Sequence, residues 1–542
     1  MNNRYTNVTL NDQQAYVVNE IWQDYVSEKR HTWLLHGITG SGKTEVYLEL
    51  ISRMLEQGRQ VIVLIPEISL TYQTVMRFYK RFGDRISIVN SKMSAGEKYD
   101  QFLRAKNGDI DIMIGPRSAL FTPFKNLGLV VIDEEHEDSY KSENAPRYDA
   151  REVAIHLCEL SGGMVLLGSA TPSLESAYLA DKGIYKRARL TKRGDEGAHL
   201  PKVYITDLRE EMREGNRSIL SRMLHEKIEN RLLKHEQVML FLNRRGYSNF
   251  VSCRSCGQAL MCPNCDISLT PHEDGFLRCH YCGYSWRAEK HCPACGSPYL
   301  AGLGIGTQKA VSLIQEEFPT ARILRMDMDT TSKKGEHEKI LETFANNEAD
   351  ILVGTQMIVK GHDFKNVTLM GILVADRSLY ASTYRASEKT FQLLTQAAGR
   401  AGRGDKPGEV VIQTYRPDHF VIRTAAAQDY DKFYDSEIRY RTHLGYPPVC
   451  RMLSILITSP EEADAENAAV EAAEYIKKED KAGLLRINGP TKDSIGRINN
   501  LFRRVIFAYS DDIDKLISIQ DALADTINVD KYHEVVVNLE LS

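Results

Sequence analysis

Apolar and polar positions in the first 190 residues alternate between two periods. Short apolar runs at Trp33–His36, Val61–Ile65, Ile110–Ile114, Leu129–Ile132 and Met164–Leu167 have the length and content of buried strands. Between them lie amphipathic stretches such as Glu45–Gln57, which stops at Gly58 as a helix C-terminus should. Strand and helix in alternation predict a parallel sheet with helices on both faces, and ligands of such sheets bind at the carboxyl ends of the strands. The pattern returns at Val238–Leu242, Ile323–Met326, Ile351–Val353, Leu369–Val374 and Glu409–Thr414. Past Tyr446-Pro447-Pro448, strand-like runs at Met452–Thr458 and Arg503–Ala508 flank a helical run at Pro460–Lys478. The expected fold is α/β: two parallel-sheet lobes, a cysteine-rich insertion in the second, and a small α+β domain at the C-terminus. The expected boundaries are 1–190 for the first lobe, 191–251 and 303–445 for the second, 252–302 for the insertion and 446–542 for the last domain. The polar stretch Thr191–His199 is the expected linker between lobes.

Composition narrows the picture. The chain has 542 residues, room for three or four domains at about 100–200 residues each. A net charge of −4 excludes a uniform basic coat, so any surface for nucleic acid must be local. Met1–Leu10 is polar, with no apolar core of a signal peptide, and no run approaches the apolar length of a membrane span. The expected location is the cytoplasm.

Gly37-Ile38-Thr39-Gly40-Ser41-Gly42-Lys43-Thr44 fits G-x-x-x-x-G-K-[ST], and it sits after a strand and opens a helix, as the motif requires. Glycines let backbone N–H groups approach phosphates, Lys43 reaches the outer phosphates, and the Thr44 hydroxyl coordinates Mg²⁺. Asp133-Glu134-Glu135-His136 ends an apolar strand. Asp133 is placed to hold Mg²⁺ and Glu134 to orient and deprotonate the attacking water. Together these motifs predict a nucleotide hydrolase, without yet defining the work done.

Eight of the ten cysteines form four C-x-x-C pairs: Cys253/Cys256, Cys262/Cys265, Cys279/Cys282 and Cys292/Cys295. In a long chain without a secretion signal this pattern reads as metal binding. Each pair can present two thiolates to one ion, so four pairs make two filled, structural Cys₄ zinc sites. Thirteen residues separate Cys265 from Cys279, close to a zinc-ribbon spacing, whereas only five separate Cys256 from Cys262. That joins the inner pairs, leaves the outer pairs to each other, and nests one site in the other. The rival reading is redox or iron–sulfur chemistry. Cys158 and Cys450 stand alone and read as ordinary core residues.

The remaining motifs resemble those of superfamily-2 helicases, and specifically the PriA family of replication-restart helicases (primosomal protein N′), from about Leu10 to the C-terminus. Leu10-Asn11-Asp12-Gln13-Gln14 looks like a Q-motif, with Gln14 reading adenine. Ile65-Pro66-Glu67-Ile68-Ser69-Leu70-Thr71 resembles the segment that touches the DNA backbone, through Pro66 and Thr71. Gly115-Pro116-Arg117-Ser118-Ala119 and Gly168-Ser169-Ala170-Thr171-Pro172 resemble G-T-R-S-A and the S-A-T coupling motif, with Arg117, Ser169 and Thr171 as their polar members. Asn243-Arg244-Arg245-Gly246-Tyr247 precedes the cysteine block as it does in that family. Gly354–Phe364 resembles motif V, with Thr355 and Lys360, and Gln396–Arg403 resembles motif VI, with Arg403 first and Arg400 second as the arginine aimed at the γ-phosphate. The segment after the hydrolysis motif, with Tyr140, Lys141, Arg147, Tyr148 and Arg151, resembles an aromatic-rich loop linking DNA contact to hydrolysis.

The resemblance implies two RecA-like lobes that clamp ATP and Mg²⁺, with two Zn²⁺ in the insertion. It also implies 3′-to-5′ unwinding, binding of single-stranded and forked DNA at stalled replication forks, and primosome assembly with single-stranded DNA-binding protein and helicase-loader proteins. The protein is expected to act as a monomer associated with the nucleoid. The family carries, ahead of its motor, a module that binds the 3′ end of a nascent strand and then a winged helix; starting almost at the motor, this chain is expected to lack both. Smaller departures are Asn90-Ser91 for His-Ser, Pro116 for Thr and Gln308 for Glu. Two other readings are a translocase that does not separate strands and a non-catalytic scaffold; the intact Lys43, Asp133, Glu134 and Arg403 argue against the scaffold.

Overall fold

The computed structural model describes residues 9–542 apart from 143–145, 195–199, 243–250, 254, 264–267, 272–275, 279–283, 288–290, 299, 303–306, 328–329, 332–334, 360–363, 382, 405, 481–482, 527–531 and 533. The chain forms two compact units: 1–201 with 357–368 and 399–408, and the remainder.

The first unit is built on seven strands: β1 (Trp33–Gly37), β2 (Gln60–Leu64), β3 (Ile86–Ile88), β4 (Ile112–Gly115), β5 (Leu127–Asp133), β6 (Met164–Ser169) and β7 (Lys186–Leu190). They lie in the order β3-β4-β2-β5-β6-β1-β7 and pair in parallel. The helices α1 (Asp12–Val26), α2 (Lys43–Glu56), α3 (Tyr72–Phe82), α4 (Ala95–Asn107), α5 (Ala150–Ser161) and α6 (Leu174–Asp181) connect or precede them. The central strands are buried along their length because two apolar clusters cover the sheet, and strands buried on both faces read as continuous apolar runs. One register places the chemistry. β6 lies between β1 and β5, with Ser169 opposite His36 and Gly168 opposite Asp133. The carboxyl ends that carry the phosphate loop, the coupling motif and the acidic motif are therefore neighbours.

The second unit contains a parallel sheet of β8 (Lys202–Asp207), β9 (Gln237–Phe241), β15 (Ile323–Met326), β16 (Ile351–Gly354), β17 (Val367–Ile372) and β18 (Glu409–Thr414), in the order β15-β16-β9-β17-β18-β8. Between β9 and β15 come β10 (Val251–Cys253), β11 (Thr270–Pro271), β12 (Phe276–Arg278), β13 (Ser285–Arg287) and β14 (Leu300–Gly302), short antiparallel pieces around the cysteines. The C-terminal domain is an antiparallel sheet of β19 (Arg451–Ser459), β20 (Arg486–Ile498), β21 (Leu501–Ser510) and β22 (Val536–Leu541), in the order β20-β21-β19-β22. The helix Glu462–Glu479 covers it with a stripe of Ala465, Ala468, Ala469, Ala472, Ala473 and Ile476, the three-and-four spacing of one buried face.

Candidate nucleotide and zinc sites

The phosphate loop is shaped by what surrounds its glycines. Gly40 and Gly42 both take φ +79°, a left-handed conformation that costs glycine little. A Cβ on Gly42 would fall 2.2 Å from Gln14 Nε2. Gln14 is buried, donates to the Ser41 carbonyl at 3.0 Å and, through Oε1, accepts the Asn11 N–H at 3.0 Å. Asn11 in turn accepts the Gln14 N–H, closing a capping box at the start of α1. The Q-motif glutamine therefore braces the loop's backbone from the side. Lys43 Nζ donates to the Gly37 carbonyl at 3.0 Å. Ser41 Oγ is buried with no hydrogen-bond partner, a polar atom facing the loop interior.

Across the sheet, Tyr47 of α2 donates its hydroxyl to Asp133 Oδ1 at 3.0 Å. Its ring passes over Gly168, where a Cβ would lie 1.7 Å from the Tyr47 oxygen. Burial, and then the charge of Glu134, push the Asp133 carboxyl up to about 6 against the opposing pull of Lys43 and Tyr47. Glu134 sits at φ +48°, a conformation that strains a side-chain-bearing residue and recurs at functional sites. Its Oε2 is buried without a hydrogen bond, 3.6 Å from His136 Nδ1. The same His136 nitrogen lies 2.7 Å from Ser169 Oγ, which accepts the Thr171 N–H at 2.9 Å. A buried pair of carboxylates beside a lysine and buried hydroxyls suits a divalent cation with a polyphosphate; Thr44 and Asp133 are the residues that would hold the cation.

Behind that pocket lies a second acidic cluster. Glu135 is fully buried and accepts from Ser173 N at 2.7 Å, Ser173 Oγ at 3.0 Å and Ser176 Oγ at 2.8 Å. Arg151 Nη1 meets Glu135 Oε2 at 3.2 Å, while its other face grips Asp149 at 2.6 Å and 3.0 Å. Sequence reading missed Tyr47 and Glu135; their only signals were a polar ring on a buried helix face and a third carboxylate after a motif that needs two.

The aromatic-rich segment divides. Tyr140, expected to touch DNA, is buried: its hydroxyl donates to the Asp133 carbonyl at 2.6 Å and the Leu64 carbonyl at 3.0 Å. It can brace the acidic motif but cannot stack on a base. Arg151 is likewise committed to Glu135 and Asp149. Ser169 and Thr171 are buried. Arg117 donates to the Ser139 carbonyl at 3.2 Å and to the Lys141 carbonyl. Arg147 is exposed, and Lys141 and Tyr148 are half-buried. Thr71 caps α3, accepting the Thr74 N–H at 3.3 Å, and Pro66 precedes the short turn before it. In the 399–408 segment, Arg403 Nε donates to the Gly399 carbonyl at 2.9 Å and Arg400 Nε to the Val359 carbonyl at 2.7 Å. A Cβ on Gly399 would fall 2.8 Å from the Thr39 side chain, and Arg193 donates to the Gly402 carbonyl at 3.3 Å. Thr355 N donates to the Met326 carbonyl at 3.3 Å. Lys360, 361–363 and 243–247 lie outside the described residues. The expected linker is partly bound: Thr191 and Gln13 exchange two hydrogen bonds, and Gly194 N donates to the Gly40 carbonyl at 2.8 Å.

The outer cysteines converge. The Sγ atoms of Cys253, Cys256, Cys292 and Cys295 all lie within 4.8 Å of one another. The Cys253–Cys295 and Cys256–Cys292 separations are 3.6 and 3.7 Å, close to the edge of about 3.8 Å that a tetrahedron of Zn–S bonds of about 2.3 Å requires. The two knuckles repeat one geometry. Gly257 N and Gly296 N donate to the carbonyls of Cys253 and Cys292, and both glycines take positive φ. The donor set fits zinc. Cys262 is buried in a small apolar cluster; Cys265, Cys279 and Cys282 of the second expected site lie outside the described residues.

Known proteins match the chain throughout. Residues 11–179 match the family profile of the DEAD/DEAH box helicase, 262–287 that of the PriA DNA helicase Cys-rich region domain, 306–405 the helicase conserved C-terminal domain and 442–540 the primosomal protein N C-terminal domain. The replication restart protein PriA of Bacillus subtilis is 47% identical over 91% of this chain and 61% of its own length. That of Synechocystis is 44% identical over 87% and 58%, so the chain spans about three-fifths of these relatives. That of Rickettsia felis is 36% identical over 94% of this chain and 78% of its own length. RecG bound to a three-way DNA junction superposes with a TM-score of 0.46 at 18% identity, covering 81% of this chain and 50% of that one. The chain belongs to the PriA family of replication restart proteins.

Proposed function

We propose that the chain is an ATP-dependent DNA helicase that moves 3′ to 5′, binds stalled or abandoned replication forks and initiates primosome assembly. The observation that carries the reading is the meeting of Lys43, from the loop after β1, with Asp133 and Glu134 at the end of β5, with Tyr47 tying the phosphate-loop helix to Asp133. In this reading Lys43 binds the outer phosphates, and Glu134 orients and deprotonates water. Bound Mg²⁺, held by Thr44 and Asp133, would neutralise charge developing on the phosphates. Gln14 holds the loop's shape and positions it for adenine. His136, against both Glu134 and Ser169, supports a link from the hydrolytic pocket to the coupling motif. Arg403, with Arg400 second, is the candidate for stabilising transition-state charge. Pro66, Thr71, Arg117, Lys141, Arg147, Tyr148, Thr355 and Lys360 are the candidate strand contacts. Two zinc ions fold the insertion, within the boundaries 252–302. Single-stranded DNA-binding protein and helicase-loader proteins are the proposed partners, and a monomer acting in the cytoplasm at the nucleoid the working form.

The test is strand displacement from partial duplexes with a 3′ or a 5′ tail and from forks. Release only with the 3′-tailed strand and the fork supports the reading. ATP consumption without release makes the chain a translocase. Metal analysis of the same sample is expected to give two zinc ions per chain.

A further inference from the structure

Phe121 is the most exposed phenylalanine among the described residues, at 54%. Nothing in the local fold forces it outward by strain. It ends a short turn, Arg117–Phe121, in which Ala119 and Leu120 are buried, and the turn is closed by Ala119 N on the Pro116 carbonyl at 2.8 Å and Thr122 N on the Ala119 carbonyl at 3.1 Å. These bonds fix the backbone of the turn, and leaving a ring on it in water forgoes the stabilisation that burial brings. Tyr148 stands edge-on to it, with centroids 5.3 Å apart and planes at 78°. Arg117 lies at the start of the same turn and fixes the loop that carries Tyr148, by its bonds to the Ser139 and Lys141 carbonyls. Ser142 N donates to the Tyr148 carbonyl at 2.8 Å, and the backbones of Lys141 and Asp149 form an antiparallel bridge across the loop. The loop's other end is Tyr140, bonded to the Asp133 carbonyl.

We propose that Phe121, backed by Tyr148, is a stacking platform for a base of the bound nucleic-acid strand, with the neighbouring cations of Arg117 and Arg147 turned to its phosphates. The inference rests on the nucleic-acid reading given above. An exposed ring on a hydrogen-bonded turn, packed edge-on against Tyr148 and close to basic residues, suits a strand, because every base has a π-face and every link a charge.

The test compares binding of two strands of equal length, one of thymidines and one of abasic sugar-phosphate units, to wild type and to F121A, F121L and F121Y. Stacking contributes enough per base that F121A and F121L are expected to weaken thymidine binding roughly tenfold, leave the abasic strand within about twofold, and spare F121Y. An unchanged thymidine affinity in F121A, or equal loss on both strands, overturns the inference while the nucleic-acid reading survives. A folded wild type that binds neither strand overturns both. Melting curves of the three variants confirm that the exposed position tolerates each.

Discussion

Asp133 and Glu135 stand two residues apart at the end of β5 in opposite electrostatic conditions. Asp133 shares a buried pocket with Glu134, and its carboxyl is pushed upward. Glu135 points behind the strand, where two serines and Arg151 saturate its oxygens. The first region sets two neighbouring carboxylates against one lysine and one tyrosine hydroxyl, and burial still raises Asp133, an arrangement that suits the proposed cation and phosphate site. The second spends its charges on internal contacts and anchors the loop that carries Tyr148 through Asp149 and Arg151. In the proposed reading one acidic run divides into chemistry and scaffold, with the division between residues 134 and 135.

Substitutions on either side should behave differently. The largest effect is expected for Glu134→Gln, which removes the proposed base: ATP turnover should fall about 10²- to 10⁴-fold with an unchanged denaturant midpoint. A variant that unfolds earlier would move Glu134 into the scaffold. Next, Arg151→Met leaves Glu135 and Asp149 without their partner. Breaking a buried pair costs about 3–5 kcal/mol, to be read from chemical unfolding, and a loss below about 1 kcal/mol would refute the scaffold role. Tyr47→Phe deletes one hydrogen bond and should cost about 1 kcal/mol, with a weaker apparent affinity for Mg²⁺ as the Asp133 carboxylate loses its orientation. The smallest effect is in acid. Burial alone would raise the Asp149 carboxyl, but the charge and hydrogen bonds of Arg151 outweigh it and hold it below the usual range. A lowered folded-state value gives stability that is present above about pH 4 and lost as pH falls below it. Asp149→Asn should flatten that part of the acid-unfolding curve and leave the part above pH 6 parallel to wild type.

The same contrast explains what the sequence disclosed. The phosphate loop, the acidic motif and the central strands were legible, because chemistry and double-sided burial each permit few residue types. Edge strands were not: Lys186–Leu190 contributes only Ala188 and Leu190 to the core, so its sequence reads as polar loop. β20 was overlooked for a similar reason, since Arg486–Ile498 is mostly polar. A cue was present in Asn499-Asn500, both at positive φ between β20 and β21, the signature of a two-residue hairpin turn. The knuckle glycines Gly257 and Gly296 were a further unused signal beside their cysteines. Tyr140 was misjudged because composition reveals an aromatic and basic loop but not which rings turn inward. Tyr140 and Tyr148 are eight positions apart on one loop, one buried under the acidic motif and the other beside Phe121 at the surface.

The most direct test is steady-state ATP hydrolysis by the purified, zinc-loaded chain with and without single-stranded DNA, with Lys43→Ala as the inactive control. Strong stimulation by the strand, absent in the control, is the predicted result. A folded sample that hydrolyses no ATP in either condition would contradict the motor.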